Sequence, residues 1–590
     1  MNRIFLRSAC CVLILGCSLM TRAEDLKTDA AGFPSFAVAR LSIARMGTFL
    51  DQTGAYANRI SPNIGPLAKI ALANALFKLP VDESLNFDGP AQIFLIAPIT
   101  LGANQDTATI LPVANADKLT KNIVGIFGDA AVQDGVMTFT VPQPLPLPDK
   151  ALLLKIVAGK ALLAPNAAVL KQLEAAAALP AAPAESADAT LVISIPAIQA
   201  LYGKQIDGAL QAGAMLASES VEGLKKVSDQ LDAIIRGVWQ IGTIEARVRF
   251  DKESQNVQGE LAIMPLKDSR LAEAFANAPA GLDGKDTALL EIGAPINAAF
   301  RMNADAVQNF LNKFGIKPPE ISEALSSAIF NDFDGENMLA FDANRVTLLH
   351  AHRDGNAAAA TKKLEALQNA LIETIATEMK GTGTLPKETI YAPIIAAEPY
   401  KATPITLRKV GSYEGAAKLN PITHDENGYM ANAVVNGQWV AAVGVKPEDS
   451  IKRLIDRLAP DAAPIAHGGG VSDAEKAAFG APLPGTLVLL SAKLLDVATM
   501  FSGDLLGDNI MPEQIIGGLP DDPVFISVFV HDGKVGIRGT MPGSTAGSLY
   551  AVSARLRRHG INVGEMLGMS GHKPDATKVP GNIPAPPPEK

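Results

Sequence analysis

Residues Ala433–Ala459 read AVVNGQWVAAVGVKPEDSIKRLIDRLA, and this stretch shows the unit from which much of the chain is built. Asn436-Gly437 separates two apolar runs rich in β-branched residues. Both residues tolerate the positive φ angles that a two-residue hairpin turn requires. The second run, Trp439–Val445, is apolar throughout, which predicts a strand buried on both faces. The stretch therefore predicts a tight β-hairpin.

A helix is predicted directly after this hairpin. Pro447 suits the first helical turn, and the acidic pair Glu448-Asp449 suits the positive end of the helix dipole. One apolar stripe with helical spacing follows, formed by Ile451, Leu454, Ile455 and Leu458. Pro460 then predicts the end of the helix. Such a ββα unit cannot bury its apolar surface alone, so it needs neighbouring units.

Five short motifs occur twice along the chain, in the same order. They are Phe87-Asp88-Gly89 with Phe333-Asp334-Gly335, Thr109-Ile110-Leu111 with Thr347-Leu348-Leu349, Asp134-Gly135-Val136-Met137 with Asn427-Gly428-Tyr429-Met430, Thr190-Leu191-Val192 with Thr486-Leu487-Val488, and Met264-Pro265 with Met541-Pro542. This repetition predicts an α+β fold with two similar lobes that arose by internal duplication. Each lobe is expected to consist of ββα-like units whose mainly antiparallel sheets are covered by helices.

The expected boundaries are 34–282 for lobe one and 286–562 for lobe two. The strand predicted to open lobe two is Thr287–Ile292. The counterpart of the 433–459 unit in lobe one is Leu152–Ala178, with its turn predicted at Gly159-Lys160. Since this counterpart lacks a tryptophan, Trp439 is interpreted as a packing residue and not as part of a site.

The order of strand, helix start and Asp-Gly or Asn-Gly hairpin recurs in Leu111–Val141 and Thr486–Arg557. In this layout the chain resembles uncharacterised exported bacterial proteins that are known only as domains of unknown function. The resemblance spans most of the mature chain, but its motifs are structural. It implies no activity.

The N-terminus has the features of a signal peptide. Arg3 and Arg7 precede an apolar run, Ser8–Met20, that is too short to span a bilayer. The expected signal peptide is 1–23, with cleavage before Glu24, and the protein is expected to be exported to the periplasm or secreted. Lipid anchoring at Cys17 is the alternative, because Ile14-Leu15-Gly16-Cys17 resembles a lipoprotein processing site.

Composition excludes several classes of function. The chain has 590 residues, and its three cysteines all lie within the predicted signal peptide, which argues against thiol chemistry in the mature protein. A net charge of −9 and the lack of a basic run argue against nucleic-acid binding.

No transmembrane segment is predicted, and six prolines in the last eighteen residues, 573–590, predict a disordered tail.

His350-Ala351-His352 is the sharpest candidate for a metal site. On a strand, residues i and i+2 point to the same face, as two metal ligands would. A third ligand would come from the segment His424-Asp425-Glu426. The competing interpretation is a polar strand end, which the equivalent segment Pro112-Val113-Ala114 supports because it has no ligands.

Two other motifs lack the residues that their binding sites require. Taking Gly335 as the loop glycine of a calcium-binding EF-hand places Phe330 and Phe341 where the first and last ligands belong. Gly468-Gly469-Gly470 lacks the lysine and the serine or threonine that follow in a phosphate-binding loop. Both stretches are interpreted as structural, the first as a turn before a strand and the second as a linker.

For each of these motifs a structural interpretation is preferred to a functional one. No catalytic, cofactor-binding or metal-ligating residue is therefore assigned from the sequence, and no cofactor is expected. The sequence favours a non-enzymatic exported protein that binds or scaffolds, with a protein or an apolar small molecule as its partner. One alternative is a carrier that holds an apolar ligand between the two lobes. A second is a metal-dependent hydrolase that uses His350 and His352.

Overall fold

The computed structural model is a mixed α+β protein with a large antiparallel sheet. It describes residues 34, 36–77, 82–97, 106–141, 150–178, 187–218, 235–251, 256–278, 280–284, 290, 294–302, 335–341, 345–351, 395–396, 398–410, 428–444, 446–459, 473–500 and 512–559. The expectation of an α+β fold with antiparallel pairing is confirmed. The predicted signal peptide and the Pro-rich tail lie outside the described residues.

Twenty strands are assigned within the described residues. The first ten are β1 (Ala37–Ile43), β2 (Ala91–Ile96), β3 (Thr107–Pro112), β4 (Ala131–Gln133), β5 (Val136–Val141), β6 (Lys150–Val157), β7 (Lys160–Ala164), β8 (Ala189–Ser194), β9 (Ile241–Phe250) and β10 (Val257–Pro265). The second ten are β11 (Ile296–Met302), β12 (Gly335–Phe341), β13 (Arg345–Ala351), β14 (Ile395–Ala396), β15 (Thr406–Val410), β16 (Gly428–Val435), β17 (Gln438–Gly444), β18 (Thr486–Ala492), β19 (Val524–His531) and β20 (Lys534–Met541).

Helices separate these strands and follow the last of them. Those used below are α1 (Met46–Ile60), α2 (Gly65–Phe77), α3 (Ala116–Phe127), α4 (Ala167–Ala178), α5 (Ile195–Ser218), α6 (Arg270–Ala276), α7 (Pro447–Leu458), α8 (Asp473–Gly480), α9 (Leu494–Met500), α10 (Pro512–Ile516) and α11 (Gly543–Arg558). No helix among the described residues is both long enough and apolar enough to cross a membrane.

The strands form one continuous ladder in which every neighbouring pair is antiparallel. In the first half the order is β4-β5-β6-β7-β3-β2-β1-β8-β9-β10. In the second half it is β14-β15-β16-β17-β13-β12-β11-β18-β19-β20. Strands β10 and β20 pair with each other, so the two halves meet at a junction that we call the seam.

The unit predicted from residues 433–459 is present as β16, β17 and α7. Asn436 and Gly437 have φ angles of 49° and 77°, so both central turn residues are left-handed, as a two-residue hairpin requires. The Asn436 side chain also donates a hydrogen bond to the carbonyl of Leu458, at 2.7 Å. The turn is thereby tied to the C-terminus of the helix, where a free carbonyl needs a donor. Helix α7 buries Ile451 and Leu454 against the hairpin.

The corresponding unit of the first half consists of β6, β7 and α4. Its turn residues are Ala158 and Gly159, with φ angles of 48° and 71°, and not Gly159-Lys160 as the sequence predicted. Lys160 is the first residue of β7, and its ammonium group donates to the carbonyl of Ala177 near the end of α4, at 2.5 Å. Lys160 therefore ties its hairpin to its helix as Asn436 does in the second half.

We expect the Ala158→Asn substitution to raise the free energy of unfolding by about 0.5–1 kcal/mol. Alanine is strained at a left-handed φ angle, whereas asparagine tolerates it. Asn436→Ala is the reverse exchange and should cost about 1–2 kcal/mol, because it also removes the hydrogen bond to Leu458. Urea denaturation followed by circular dichroism measures both changes. A loss of stability in Ala158→Asn would contradict the turn assignment.

Two predictions from the sequence are corrected. The strand that opens the second half is β11, Ile296–Met302, whereas the sequence placed it at Thr287–Ile292; residues 290 and 294 carry no strand. The motif pair Asp134–Met137 and Asn427–Met430 also fails, because Val136 begins β5 and Gly428 begins β16. These strands occupy different places in the ladder, since β16 holds the place of β6 and not of β5.

Helices cover both faces of the sheet. The candidate site lies on one of these faces, in a gap between the helices. On one face, α4 buries Leu170 and Leu173 against Phe94, while α7 packs against the second half. On the other face, α1 packs Phe49 against Phe250 of β9, with ring centroids 5.9 Å apart. The face that carries α4 and α7 also carries the pocket described next.

Candidate functional site

A pocket of about 440 Å³ lies across the seam. Strands β9 and β10 of the first half and β18, β19 and β20 of the second half form its floor, and the segment that follows α8 forms a wall. Its volume falls within the roughly 300–1,000 Å³ of small-molecule sites. Because both halves contribute, neither half contains the complete pocket.

Directly paired residues form the floor of the pocket in two rows. Arg247 pairs with Glu260, Glu260 with Arg538, Arg538 with Ser527, and Ser527 with Leu489. Side chains of directly paired residues lie on the same face of a sheet. This row therefore runs from a charged end in the first half to an aliphatic end in the second.

The second row consists of residues two positions away from those of the first row on β9, β10, β20 and β19. Arg249 pairs with Gln258, Gln258 with Thr540, and Thr540 with Phe525. The row presents a guanidinium, an amide and a hydroxyl group before it reaches an aromatic ring. The floor thus combines hydrogen-bond donors at one end with apolar surface at the other.

Two carboxylates hold Arg247 and Arg538 of the floor in place, together with the adjacent Lys534. Glu260 accepts from Arg538 at 2.7 Å and lies 3.8 Å from Arg247. Glu245 accepts from Arg247 at 2.8 Å and from Lys534 at 3.1 Å. The Lys534–Glu245 and Arg538–Glu260 pairs each join the two halves. All five side chains are at most 29 % exposed, so solvent screens these pairs less than exposed surface pairs.

Close packing beside this network fixes the position of Arg538. Its guanidinium lies 3.7 Å from the centroid of the Phe529 ring, a cation–π contact. The ring is 1 % exposed and covers Gly536. A Cβ atom at Gly536 would lie 2.5 Å from the carbonyl oxygen of Leu261 and 2.7 Å from the ring. Only glycine fits here without displacing its neighbours.

A further guanidinium group extends the charged region beyond the floor. Arg40 of β1 shares a row with Val192 of β8 and Glu245 of β9. Burial lowers the pKa of Arg40 below its ordinary value, and the charge of Glu245 opposes that shift. The Glu245 carboxylate thus acts as counter-charge to several cations at once.

The wall of the pocket is mainly apolar. The segment Ala481–Pro484 contributes aliphatic surface, and Leu483 is 58 % exposed. The segment is fixed at its end, because the Thr486 hydroxyl donates to the carbonyl of Leu483 at 2.7 Å. Helix α8 is held against β18 by a buried hydrogen bond from the Ser491 hydroxyl to Glu475, at 2.7 Å. The wall is therefore attached to the second half.

The predicted metal ligands remain untested. The backbone of β13 places His350 opposite Asn337 of β12 and Trp439 of β17, but its side chain lies outside what the structure describes. His352 and the segment 424–426 lie outside the described residues altogether. Within the described part of the chain, no three histidine, cysteine, aspartate or glutamate side chains gather to form a metal site.

No residue of the pocket is predicted from the sequence to belong to a site, and Thr486 enters there only as part of a repeated motif. One signal was available, since Glu245-Ala246-Arg247-Val248-Arg249 alternates charged and apolar residues. That alternation predicts a strand with one charged face. It could not show which strands complete the pocket, because β20, which lies beyond β10, begins at residue 534.

Comparisons with known proteins identify no family. No protein-family model matches the chain, and no curated protein matches it. A solved structure titled "Structure of crystal form IV of TP0453" is similar over 42 % of this chain and 84 % of that chain, with 9 % sequence identity and a TM-score of 0.18. A TM-score of this size supports no conclusion about fold or function.

Proposed function

We propose that this chain is an exported, non-enzymatic binding protein that holds a small ligand with an apolar part in the pocket across the seam. The observation that carries the proposal is the pocket itself, about 440 Å³ in volume and formed by strands of both halves. Its wall of proline, alanine and leucine side chains suits an apolar group, because hydrophobic pockets need only aliphatic surface. The arginines of the floor distinguish this pocket from a site for a wholly apolar ligand.

Binding is favoured over catalysis by the chemistry of the lining. The described lining residues include no histidine, cysteine, aspartate or lysine. Their one carboxylate, Glu260, is engaged by Arg538 at 2.7 Å. A general base must be within reach of the proton that it removes, and a nucleophile needs such a base beside it. Arginines, an amide and hydroxyl groups suit recognition better than either role.

Export is part of the same proposal and rests on the sequence. Arg3, Arg7 and the apolar run Ser8–Met20 support a signal peptide that is cleaved before Glu24, with lipid anchoring at Cys17 as the alternative. Mass spectrometry of the protein purified from its own cells would distinguish these outcomes. An N-terminus at Glu24 supports cleavage, a lipid-modified Cys17 supports anchoring, and an intact Met1 contradicts export.

An internal duplication would explain why the pocket lies where it does. The support comes from the ladder, because β1–β10 and β11–β20 follow the same order outward from the seam. It also comes from Thr190-Leu191-Val192 in β8 and Thr486-Leu487-Val488 in β18, a repeated motif whose strands occupy the same place in the two halves of the ladder. A pocket at the junction of two related halves is a common place for a ligand.

Binding can be tested with the neutral dye N-phenyl-1-naphthylamine, which fluoresces in apolar surroundings. We expect saturable binding at one site per mature chain. Ala481→Trp should weaken this binding at least about tenfold, because Ala481 is exposed on the pocket wall and an indole would fill the space. Equal dye binding by Ala481→Trp and the unchanged protein would contradict the proposal.

The matched control is Ala175→Trp. Ala175 is exposed on α4 and does not line the pocket. Both variants carry one added tryptophan in place of an exposed alanine, so they differ in whether the indole lies in the pocket. We expect Ala175→Trp to bind the dye within about twofold of the unchanged protein. No saturable binding by any of the three proteins would instead favour the scaffolding role.

A further inference from the structure

The pocket has an excess of positive charge. Three arginines line it, Arg247, Arg249 and Arg538, against a single acid, Glu260. Including the adjacent Lys534–Glu245 pair leaves four cations against two anions, a local charge of +2, in a chain whose net charge is −9. A concave site of one sign focuses the electrostatic field and attracts ligands of the opposite sign.

Arg249 is the cation that remains available for a ligand. Both nearby acids already engage two cations each. Glu260 of the floor pairs with Arg247 and Arg538, and the adjacent Glu245 pairs with Arg247 and Lys534. Arg249 is exposed, and it forms no ion pair with any residue that the structure describes. An arginine that is held on a strand, but not neutralised, can offer two parallel N–H donors to a carboxylate or phosphate.

The neighbours of Arg249 extend this donor group toward the apolar wall. Gln258 lies directly beside it across β10, and Thr540 lies beside Gln258 across the seam. Phe525 follows Thr540, and Leu489 lies in the adjoining row on β18. A ligand bound along this line would meet polar donors first and apolar side chains second. The complementary molecule is an amphiphile.

We propose that the ligand is a single-chain amphiphile with an anionic head, carboxylate or phosphate, which pairs with Arg249 while its apolar chain lies against Phe525, Leu483 and Leu489. The inference rests on the proposed function, because it assigns the chemical class of the ligand to the same pocket. A cationic head would be repelled by the uncompensated charge, and a neutral head would leave the guanidinium without a partner of opposite charge.

Four twelve-carbon probes that differ only in their heads test this inference by isothermal titration calorimetry with the full mature chain. They are dodecanoate, dodecyl phosphate, dodecanol and dodecyltrimethylammonium, the charged probes used below their critical micelle concentrations and dodecanol below its solubility limit. We expect the two anions to bind at least about tenfold more tightly than dodecanol, the difference that one charge-assisted hydrogen bond supplies. The cation should bind more weakly than dodecanol. The ratio of dodecanoate to dodecyl phosphate distinguishes a fatty acid from a phosphate ester.

Two variants test the role of Arg249. Arg249→Gln removes the guanidinium charge, and Gln258→Glu places a carboxylate directly beside it. Both residues are exposed, so the fold should persist, which circular dichroism checks. Each variant should weaken dodecanoate binding at least about tenfold and change dodecanol binding by less than about threefold. Arg558→Gln, an exposed site at the end of α11, removes the same charge and should change neither.

The outcomes separate this inference from the proposed function. If dodecanoate and dodecanol bind equally well while the neutral dye still binds in the pocket, the anionic head is wrong and the binding role stands. If Arg249→Gln weakened the binding of dodecanoate and of dodecanol equally, the role assigned to Arg249 would likewise be overturned. If neither the probes nor the dye bind, the proposed function itself is wrong. Raising the salt concentration should weaken dodecanoate selectively, since salt screens the exposed guanidinium.

Discussion

Replacing Gly536 with alanine should lower the free energy of unfolding by about 2–3 kcal/mol, the upper part of the range for overpacked sites. The added methyl group would lie 2.5 Å from the carbonyl oxygen of Leu261, on the strand across the seam, and 2.7 Å from the Phe529 ring. Neither neighbour moves easily, because the ring is buried and lies against the Arg538 guanidinium. The midpoint of urea denaturation, followed by circular dichroism, measures the loss.

Gly539→Ala is the matched control on the same strand. A Cβ atom there would meet only the carbonyl oxygen of Phe525, at 3.8 Å, which is ordinary contact. Alanine also restricts the unfolded chain more than glycine, so we expect no loss and a gain of up to about 1 kcal/mol. If alanine changed the free energy of unfolding equally at Gly536 and Gly539, close approach across the seam would not explain the glycine at position 536.

Replacing Trp439 with alanine should cost about 3–5 kcal/mol of unfolding free energy, the loss typical of a large aromatic side chain removed from a core. Trp439 is 4 % exposed and lies between His350 of β13 and Val434 of β16 in the ladder. It does not line the pocket across the seam. Stability should therefore fall sharply, while ligand binding by the folded fraction stays unchanged.

Trp439→Phe separates packing from recognition. Phenylalanine keeps most of the buried ring, so its cost should stay below about 1.5 kcal/mol. Urea denaturation of both variants, together with dye titration in the absence of urea, provides the test. If Trp439→Ala kept its stability but lost dye binding, Trp439 would belong to a site, and its interpretation as a packing residue would be wrong.

Local structure was predictable where neighbouring residues decide it. Asn436-Gly437 and Pro447 are sufficient to place β16, β17 and α7, because turn and cap preferences act over a few residues. The first strand of the second half was missed because INAAFRM, residues 296–302, has a single β-branched residue and no strict alternation of apolar and polar residues. Its strand conformation depends on β12 and β18, which pair with it on either side.

The site was not predictable, because it depends on pairing between distant strands. Arg247 and Arg538 are both brought to Glu260 by the register of β9, β10 and β20, and a shift of one residue would turn each side chain to the other face. Repeated motifs alone do not set that register. The pair Asp134–Met137 and Asn427–Met430 shows this, since similar residues there begin strands that occupy different places in the ladder.

The pairing of β10 with β20 also decides what would happen to either half alone. A chain that ended after α6 would leave β10 as an edge strand, with only those backbone groups between Val257 and Ile263 that face β20 left unpaired. Exposed edges of this length promote aggregation or association with a second copy. Two copies of one half, joined edge to edge about a twofold axis, would reproduce the antiparallel seam. Either half expressed alone is therefore expected to associate with a second copy along this edge.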